Sequence, residues 1–411
     1  MRPNDQVAVV DLGTSKVACL VANVTEEGKL AVESLAYAPS QGVAKGEIVD
    51  ADAAAQSVEK VVSKVERHLN RDLNQLWASI SGSHLLSQAG QGAVPIYPAG
   101  RILRRQDIHQ VIRHSRQQLM PPEYEQILAV PREYKVDGER VSEEPVGRPA
   151  NRLDVVTHIV TGNSDAVELM ERTVGFGGRA TMGLAPCSLA SGLGVLSKHA
   201  AEMGAVVIDL GAGKTDLAIF MEGAYAYQSV IKVGADHVTS DIMQLLKTDW
   251  DEAERLKSEE ATALFEEIDK NEVVQISQVD ATGLRNMQKR VLCEIVGSRV
   301  HELAKHINHS LERSGFDQSE LKHLVLTGGG ALLPGIAEVF AAETQFKNPR
   351  IVQPRVAGKF AKQVASPALS TIVGLARYAL ESGEQDLAPV SGFRDWKDRI
   401  STIKSWFSGK S

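Results

Sequence analysis

Val7-Ala8-Val9-Val10-Asp11-Leu12-Gly13-Thr14-Ser15-Lys16 returns in the second half of the chain as Ala205-Val206-Val207-Ile208-Asp209-Leu210-Gly211-Ala212-Gly213-Lys214. Each copy is a short apolar run, an Asp-Leu-Gly-x-x-Lys turn and a second run, Val17 to Val24 in one and Thr215 to Met221 in the other. Apolar runs of that length bounded by glycine turns read as buried strands, so each copy predicts a hairpin. Two facing hairpins can grip a phosphate chain from both sides. Glycine in a turn removes the Cβ that keeps backbone N–H groups away from an anion, and hydroxyls beside it add donors. Gly13, Thr14, Ser15 and Lys16 therefore form one candidate phosphate loop, and Gly211, Ala212, Gly213, Lys214 and Thr215 the other. Asp11 and Asp209 would repel a triphosphate unless a hard cation lay between, so the pair predicts Mg²⁺ held through water and a Mg-nucleotide as ligand.

A third segment, His323-Leu324-Val325-Leu326-Thr327-Gly328-Gly329-Gly330-Ala331, reads as a strand ending in a glycine run, with a helix following around Ile336 to Thr344. Gly328, Gly329, Gly330 and Ala331 would let a base or ribose lie against bare backbone. Leu76-Trp77-Ala78-Ser79-Ile80-Ser81-Gly82-Ser83 is a reduced counterpart in the first half. Hairpin, helix, strand and glycine turn recur in one order, which predicts a duplicated α/β core. Gly213-Lys214-Thr215 imitates the end of a Walker loop, but Ile208 stands where that motif needs glycine, and a strand follows.

These segments resemble the two phosphate loops and the adenosine loop of the actin, sugar-kinase and heat-shock-chaperone ATPase superfamily. Within it the chain is similar to the FtsA family of bacterial division proteins, including Ser81-Gly82-Ser83-His84, Ile127-Leu128, Glu133-Tyr134-Lys135-Val136-Asp137-Gly138, Val155 to Thr161 and the tail. The resemblance implies an actin-like, ribonuclease H-like core carrying two inserted subdomains, the first displaced as in FtsA. The expected limits are 1–83, 163–203 and about 367–380 for the first half, 84–162 for its insert, 204–234 and 301–366 for the second half, 235–300 for its insert, 381–392 for a linker and 393–408 for an amphipathic helix. Glu254 and Lys257 match the family's nucleotide-side pair, for which the resemblance implies ribose or adenine contacts. Lys214 departs from the family's usual Gly-Gly-Gly-Thr, and two readings stand: a point charge on a phosphate, or a turn side chain directed to solvent. Ala185 and Cys187 occupy the positions where the superfamily aligns a hydrolytic water with Gln or Glu, so slow or absent ATP hydrolysis is expected and no catalytic residue is assigned.

The 411 residues with 43% apolar content predict two or three domains, and a net charge of −7 argues against a nucleic-acid partner. Cys19, Cys187 and Cys293 show no metal spacing and read as buried thiols of a reducing compartment. No apolar run nears the roughly 20 residues needed to cross a bilayer, and the N-terminus lacks a signal-peptide pattern. Arg101, Arg104, Arg105, Arg113 and Arg116 lack interleaved aromatics and read as a solvated face or protein contact.

In the tail, Phe393, Trp396, Ile400, Ile403 and Phe407 recur at helical steps, with Trp406 at the edge of the stripe and basic residues in excess. Such a stripe also suits core packing or a dimer seam. Its place after a polar linker, its aromatic bulk and its charge favour an interfacial helix on anionic lipid. The resemblance implies that the protein anchors FtsZ filaments at the cytoplasmic face of the membrane at the division site, self-associates into filaments or oligomers, and helps recruit later division proteins. It further implies that the FtsZ C-terminal peptide docks on the second insert, for which Arg285, Lys289, Arg290 and Arg299, taken as helix residues, are the chosen contacts. A pilus-assembly actin homologue and a small-molecule kinase of the same superfamily are the competing classes.

Overall fold

The computed structural model describes residues 6–117, 120–141, 144–277 and 283–383. The tail helix expected at 393–408, and the linker beyond Gly383, lie outside those residues. Strands β1 (Gln6–Leu12), β2 (Lys16–Val24) and β3 (Leu30–Pro39) form an antiparallel meander. A small hairpin follows, β4 (Val43–Ala44) and β5 (Glu47–Ile48), then α1 (Ala51–Leu69) and β6 (Gln75–Ile80), which returns parallel to β1. Helix α1 starts where Asp50 accepts from the Asp52 and Ala53 amides at 3.1 and 3.0 Å. Its buried Ala54, Val58, Val61, Val62 and Val65 recur at helical steps and cover β2 and β3.

The first insert is a sheet of β7 (Leu86–Pro95), β8 (Tyr124–Val136), β9 (Glu139–Val141) and β10 (Arg152–Asn163), with α2 (Arg105–Ser115) on one face. The strand order is β7-β10-β8-β9, all antiparallel. Strand β8 extends well past the apolar run Gln126 to Val130, because it pairs with β10 along its whole length and accommodates two bulges on the way. The chain then rejoins the first half through α3 (Ser164–Val174), β11 (Ala180–Pro186), α4 (Cys187–Val195) and α5 (Lys198–Glu202).

The second half repeats the first. Strands β12 (Ala205–Leu210), β13 (Thr215–Met221) and β14 (Ala224–Ile231) form a meander. Helices α6 (Ala235–Leu246) and α7 (Trp250–Arg255), strands β15 (Val273–Ser277) and β16 (Leu284–Gln288), and α8 (Lys289–Arg313) lead to β17 (His323–Thr327), parallel to β12. Helix α9 (Ile336–Glu343), β18 (Arg350–Ile351), α10 (Ala361–Val364) and α11 (Ser370–Gly383) complete the order. The two large sheets run β3-β2-β1-β6-β11 and β14-β13-β12-β17-β18. One scheme built twice accounts for the repeated motif.

Helix α8 crosses Val300–His301, where the sequence suggested a boundary, without a break. Its buried Leu292, Val296, Val300, Leu303, Ala304, Ile307 and Leu311 keep one apolar face from insert to core. Helix α11 follows the second half in sequence yet buries Ile372, Val373, Leu375, Ala376 and Leu380 in the first half's core. It crosses α4 so closely that a Cβ on Gly374 would lie 1.6 Å from the Ala190 carbonyl oxygen. It also takes in Glu381 to Gly383, which the sequence placed in the linker.

The first insert joins the first half by connectivity and by its buried Ile127, Leu128, Val130 and Val160, and it also rests on the second. His158 of β10 places Nδ1 3.1 Å from the Tyr225 carbonyl oxygen, and its ring lies tilted against that tyrosine with centroids 4.7 Å apart. The Arg132 guanidinium lies 4.8 Å from the Phe316 ring, and Arg140 pairs with Glu222 at 2.6 Å. Among the described residues no helix is long and apolar enough to cross a membrane.

Candidate nucleotide cleft

The turns after β1 and β12 face each other across the junction of the halves, closely enough that a Cβ on Gly213 would lie 2.6 Å from Thr14 Oγ1. Three carboxylates and two ammonium groups gather there. Asp11 accepts from Ser79 Oγ at 2.6 Å, Asp209 from Thr371 Oγ1 at 2.7 Å, and Asp216 from the Ser81 hydroxyl. Burial pushes the Asp209 carboxyl up to about 7, with Asp216 and Asp11 adding repulsion. Burial likewise raises Asp216, against the pull of Lys214. The Lys16 ammonium is lowered by burial while Asp11 and Asp209 draw it up, and its Nζ donates to the Ala368 carbonyl.

A buried site with carboxylates in excess is short of positive charge, and oxygen donors of this kind suit a hard cation. Among the described residues no group of three or more His, Cys, Asp or Glu converges to ligate a metal directly. Asp11 and Asp209, the pair the sequence assigns to a water-held Mg²⁺, both lie in this cleft and offer oxygen donors of the kind a hard cation takes.

Individual loop residues divide. Thr215 is fully buried and donates its hydroxyl proton to the Val233 carbonyl at 2.7 Å, so it has no proton left for a phosphate. The Gly13 and Gly211 amides donate to the Lys16 and Asp209 carbonyls at 3.0 and 3.1 Å and so close their own turns, which leaves them to shape the loops and not to bind a phosphate. Thr14 Oγ1 accepts from the Gly46 amide at 3.0 Å, and Lys214 Nζ donates to the Gly46 carbonyl at 3.2 Å. The reading of Lys214 as a solvent-directed side chain is overturned.

The glycine run packs on the second loop. Gly328 has φ +85°, and a Cβ there would lie 2.3 Å from Asp209 Oδ1. Gly330 approaches Leu210, Ala331 is fully buried and offers no side-chain surface, and Gly329 alone of the three glycines would take a Cβ without a tight contact, with Ala368 Cβ 3.9 Å away. Glu254 and Lys257 pair at 2.5 Å and share Thr239, with Lys257 Nζ also 3.4 Å from the Ala235 carbonyl. The Ala235 amide in turn donates to the Gly211 carbonyl at 3.0 Å, which links this pair to the second loop through Ala235.

Sequence reasoning missed Asp216, Thr371, Ser81 and Gly46. A carboxylate inside the apolar strand Thr215–Met221 was a usable signal for Asp216. Nothing local marks Thr371 or Gly46, which reach the cleft from other elements.

Away from the cleft, Arg285 lies on β16 and not on a helix. Lys289 pairs with Glu272 at 2.8 Å, Arg290 with Glu294 at 3.1 Å, and Arg299 with Asp241 at 2.6 Å and Glu302 at 2.5 Å. The four do not form an uncompensated basic face. Arg101 is likewise paired with Asp107, at 2.6 Å.

Two copies of one meander-plus-parallel-strand unit, meeting at paired turns lined with aspartate and lysine, define an actin-like protein. The solved PilM-PilN type IV pilus biogenesis complex superposes at a TM-score of 0.64 with 17% identity, covering 91% of this chain and 98% of that one. MreB5 of Spiroplasma citri bound to ADP superposes at 0.56 with 13% identity, covering 93% and 99%. More narrowly, the family models for cell division protein FtsA and for the SHS2 domain inserted in FtsA match residues 206–374 and 82–161. The cell division protein FtsA of Neisseria meningitidis is 32% identical over 90% of this chain and 89% of its own length. The chain belongs to the FtsA family.

Proposed function

We propose that the protein binds Mg-ATP between its two halves and, as a filament or oligomer, ties FtsZ filaments to the cytoplasmic face of the membrane through its C-terminal amphipathic helix. Hydrolysis is slow or absent in this reading, and later division proteins join the assembly. The observation that carries it is the meeting of Asp11, Lys16, Asp209, Lys214 and Asp216, drawn from both halves, at one buried cleft. Gly13, Thr14, Ser15, Ala212 and Gly213 shape its phosphate side, Gly328 to Ala331 its base side, and Glu254 with Lys257 its outer edge. When bound, the magnesium ion neutralises phosphate charge. Lys16 and Lys214 add point charges of their own, while Thr371 and Ser79 hold the two aspartates in place by donating to them.

A fluorescent ATP analogue titrated with Mg²⁺ and then with EDTA tests the cleft. Binding that is lost on chelation supports the reading, and no binding under either condition refutes it. Liposome flotation compares the full chain with one ending at Gly392. Equal flotation removes the roles assigned to Phe393, Trp396, Ile400, Ile403, Trp406 and Phe407. For the partner, an FtsZ C-terminal peptide is titrated against the chain. Arg285 remains in the proposed contact, whereas Lys289, Arg290 and Arg299 enter it through ion pairs that peptide carboxylates would have to displace.

A further inference from the structure

Lys214 is carried by the second half but hydrogen-bonded to the first. Its ammonium holds the Gly46 carbonyl at 3.2 Å, at the tip of the β4–β5 hairpin. Gly46 has φ +80°, and a Cβ there would lie 2.4 Å from Lys214 Cδ, so the lysine stem lies flat against the turn. The neighbouring Gly213 is pressed on the same turn, where a Cβ would meet Lys45 Cα at 2.8 Å and the Gly46 nitrogen at 2.9 Å. On its first-half side the turn is pinned by the Gly46 amide donating to Thr14 Oγ1 at 3.0 Å. The hairpin is thus clamped between the two phosphate loops. A neutral carbonyl is a weak partner for an ammonium, and a phosphate oxygen is a much stronger one.

We propose that Lys214 is a phosphate-sensing residue. It holds the β4–β5 turn through the Gly46 carbonyl, and it gives up that carbonyl to the terminal phosphate of a nucleotide seated between the loops. The inference rests on the nucleotide reading of the cleft and goes beyond it by giving one side chain the task of reporting phosphate number. ATP carries more terminal charge than ADP and draws the lysine further. The turn, with Lys45 and Val49 exposed, then signals the bound nucleotide on the outer surface.

Hydrogen exchange of the full chain, with Mg-ATP, with Mg-ADP and without nucleotide, follows residues 43–49 directly. In the wild type, exchange there should be about threefold faster with ATP than with ADP. In Lys214→Ala the turn should exchange fast throughout and ignore nucleotide, ATP affinity should fall about tenfold, and ADP affinity should change little. Lys214→Arg should restore part of the discrimination. Lys214→Gln, which keeps the stem length, replaces the alanine variant if that protein melts early. Wild-type binding of ATP with an unresponsive turn, or undiminished ATP affinity in the neutral variants, overturns the role of Lys214 alone. Failure of the wild type to bind either nucleotide overturns the reading of the cleft and this proposal with it.

Discussion

His158 sets up a pH test of how firmly the first insert is docked. Its Nδ1 faces the Tyr225 carbonyl at 3.1 Å and its Nε2 faces Ser87 Oγ at 2.7 Å. A carbonyl only accepts, so Nδ1 carries the proton and Nε2 accepts from the serine; this is the neutral ring. Burial first, then Arg132, pushes its pKa down to about 3. The unfolded chain takes up a proton near pH ~6.5. Between about pH 6.5 and 3 the unfolded state binds more protons than the folded one, so this contribution is intact above 6.5 and is lost as pH falls. At pH ~5 the gap is about 1.5 units, or about 2 kcal/mol. His158→Asn keeps a donor near Tyr225 and removes the titration. Urea denaturation of both proteins from about pH 5 to 7.5 isolates the effect, because all other groups cancel in the difference. The wild type should lose about 2 kcal/mol more than the variant on acidification. Parallel curves would refute the argument.

Gly328→Ala places a methyl 2.3 Å from Asp209 Oδ1 at a backbone φ of +85°, which should cost upwards of ~2 kcal/mol and abolish ATP binding, read by melting and by fluorescent-nucleotide titration. Asp209→Asn keeps the hydrogen bond to Thr371 but loses the charge, so ATP titrations with Mg²⁺ and with EDTA should converge; a preserved magnesium dependence would place the cation elsewhere. Arg299→Ala removes the two hydrogen bonds to Asp241, at 2.6 and 2.9 Å, that tie α8 to α6. It should lower stability by about 1 kcal/mol, measured by urea denaturation.

The strands and turns of the cleft were legible in the sequence because buried strands betray themselves locally. Val7 to Val10 and Ala205 to Ile208 are apolar runs that end in glycine turns, and the motif occurs twice. Asp11 and Asp209 were readable for the same reason, since a carboxylate closing an apolar strand calls for a partner. What eluded the sequence was set by tertiary contact. Thr371 reaches Asp209 from across the chain, Gly46 reaches Lys214 from a hairpin of two-residue strands, and the pairs of Lys289 with Glu272 and Arg299 with Asp241 depend on how neighbouring turns and helices pack. The run of α8 through Val300 was hidden because a continuous apolar stripe carries no mark where one subdomain ends and the next begins. Thr215 misled because a threonine beside a glycine turn looks like a donor until its own carbonyl partner is seen.

The docking of the first insert has a mechanical outcome. Peptide bonds and the buried Ile127, Leu128, Val130 and Val160 fasten that sheet to the first half of the molecule, while Arg132 on Phe316, Arg140 with Glu222 and His158 against Tyr225 fasten it to the second. It bridges the two halves like a strut, so they cannot swing apart without shearing one of its two attachments. Resistance to opening is therefore set by this sheet as well as by the loops, where Ser81 on Asp216 and Lys214 on Gly46 also tie the halves. A ligand that loosened the strut would remove one of these ties while leaving the loop contacts in place.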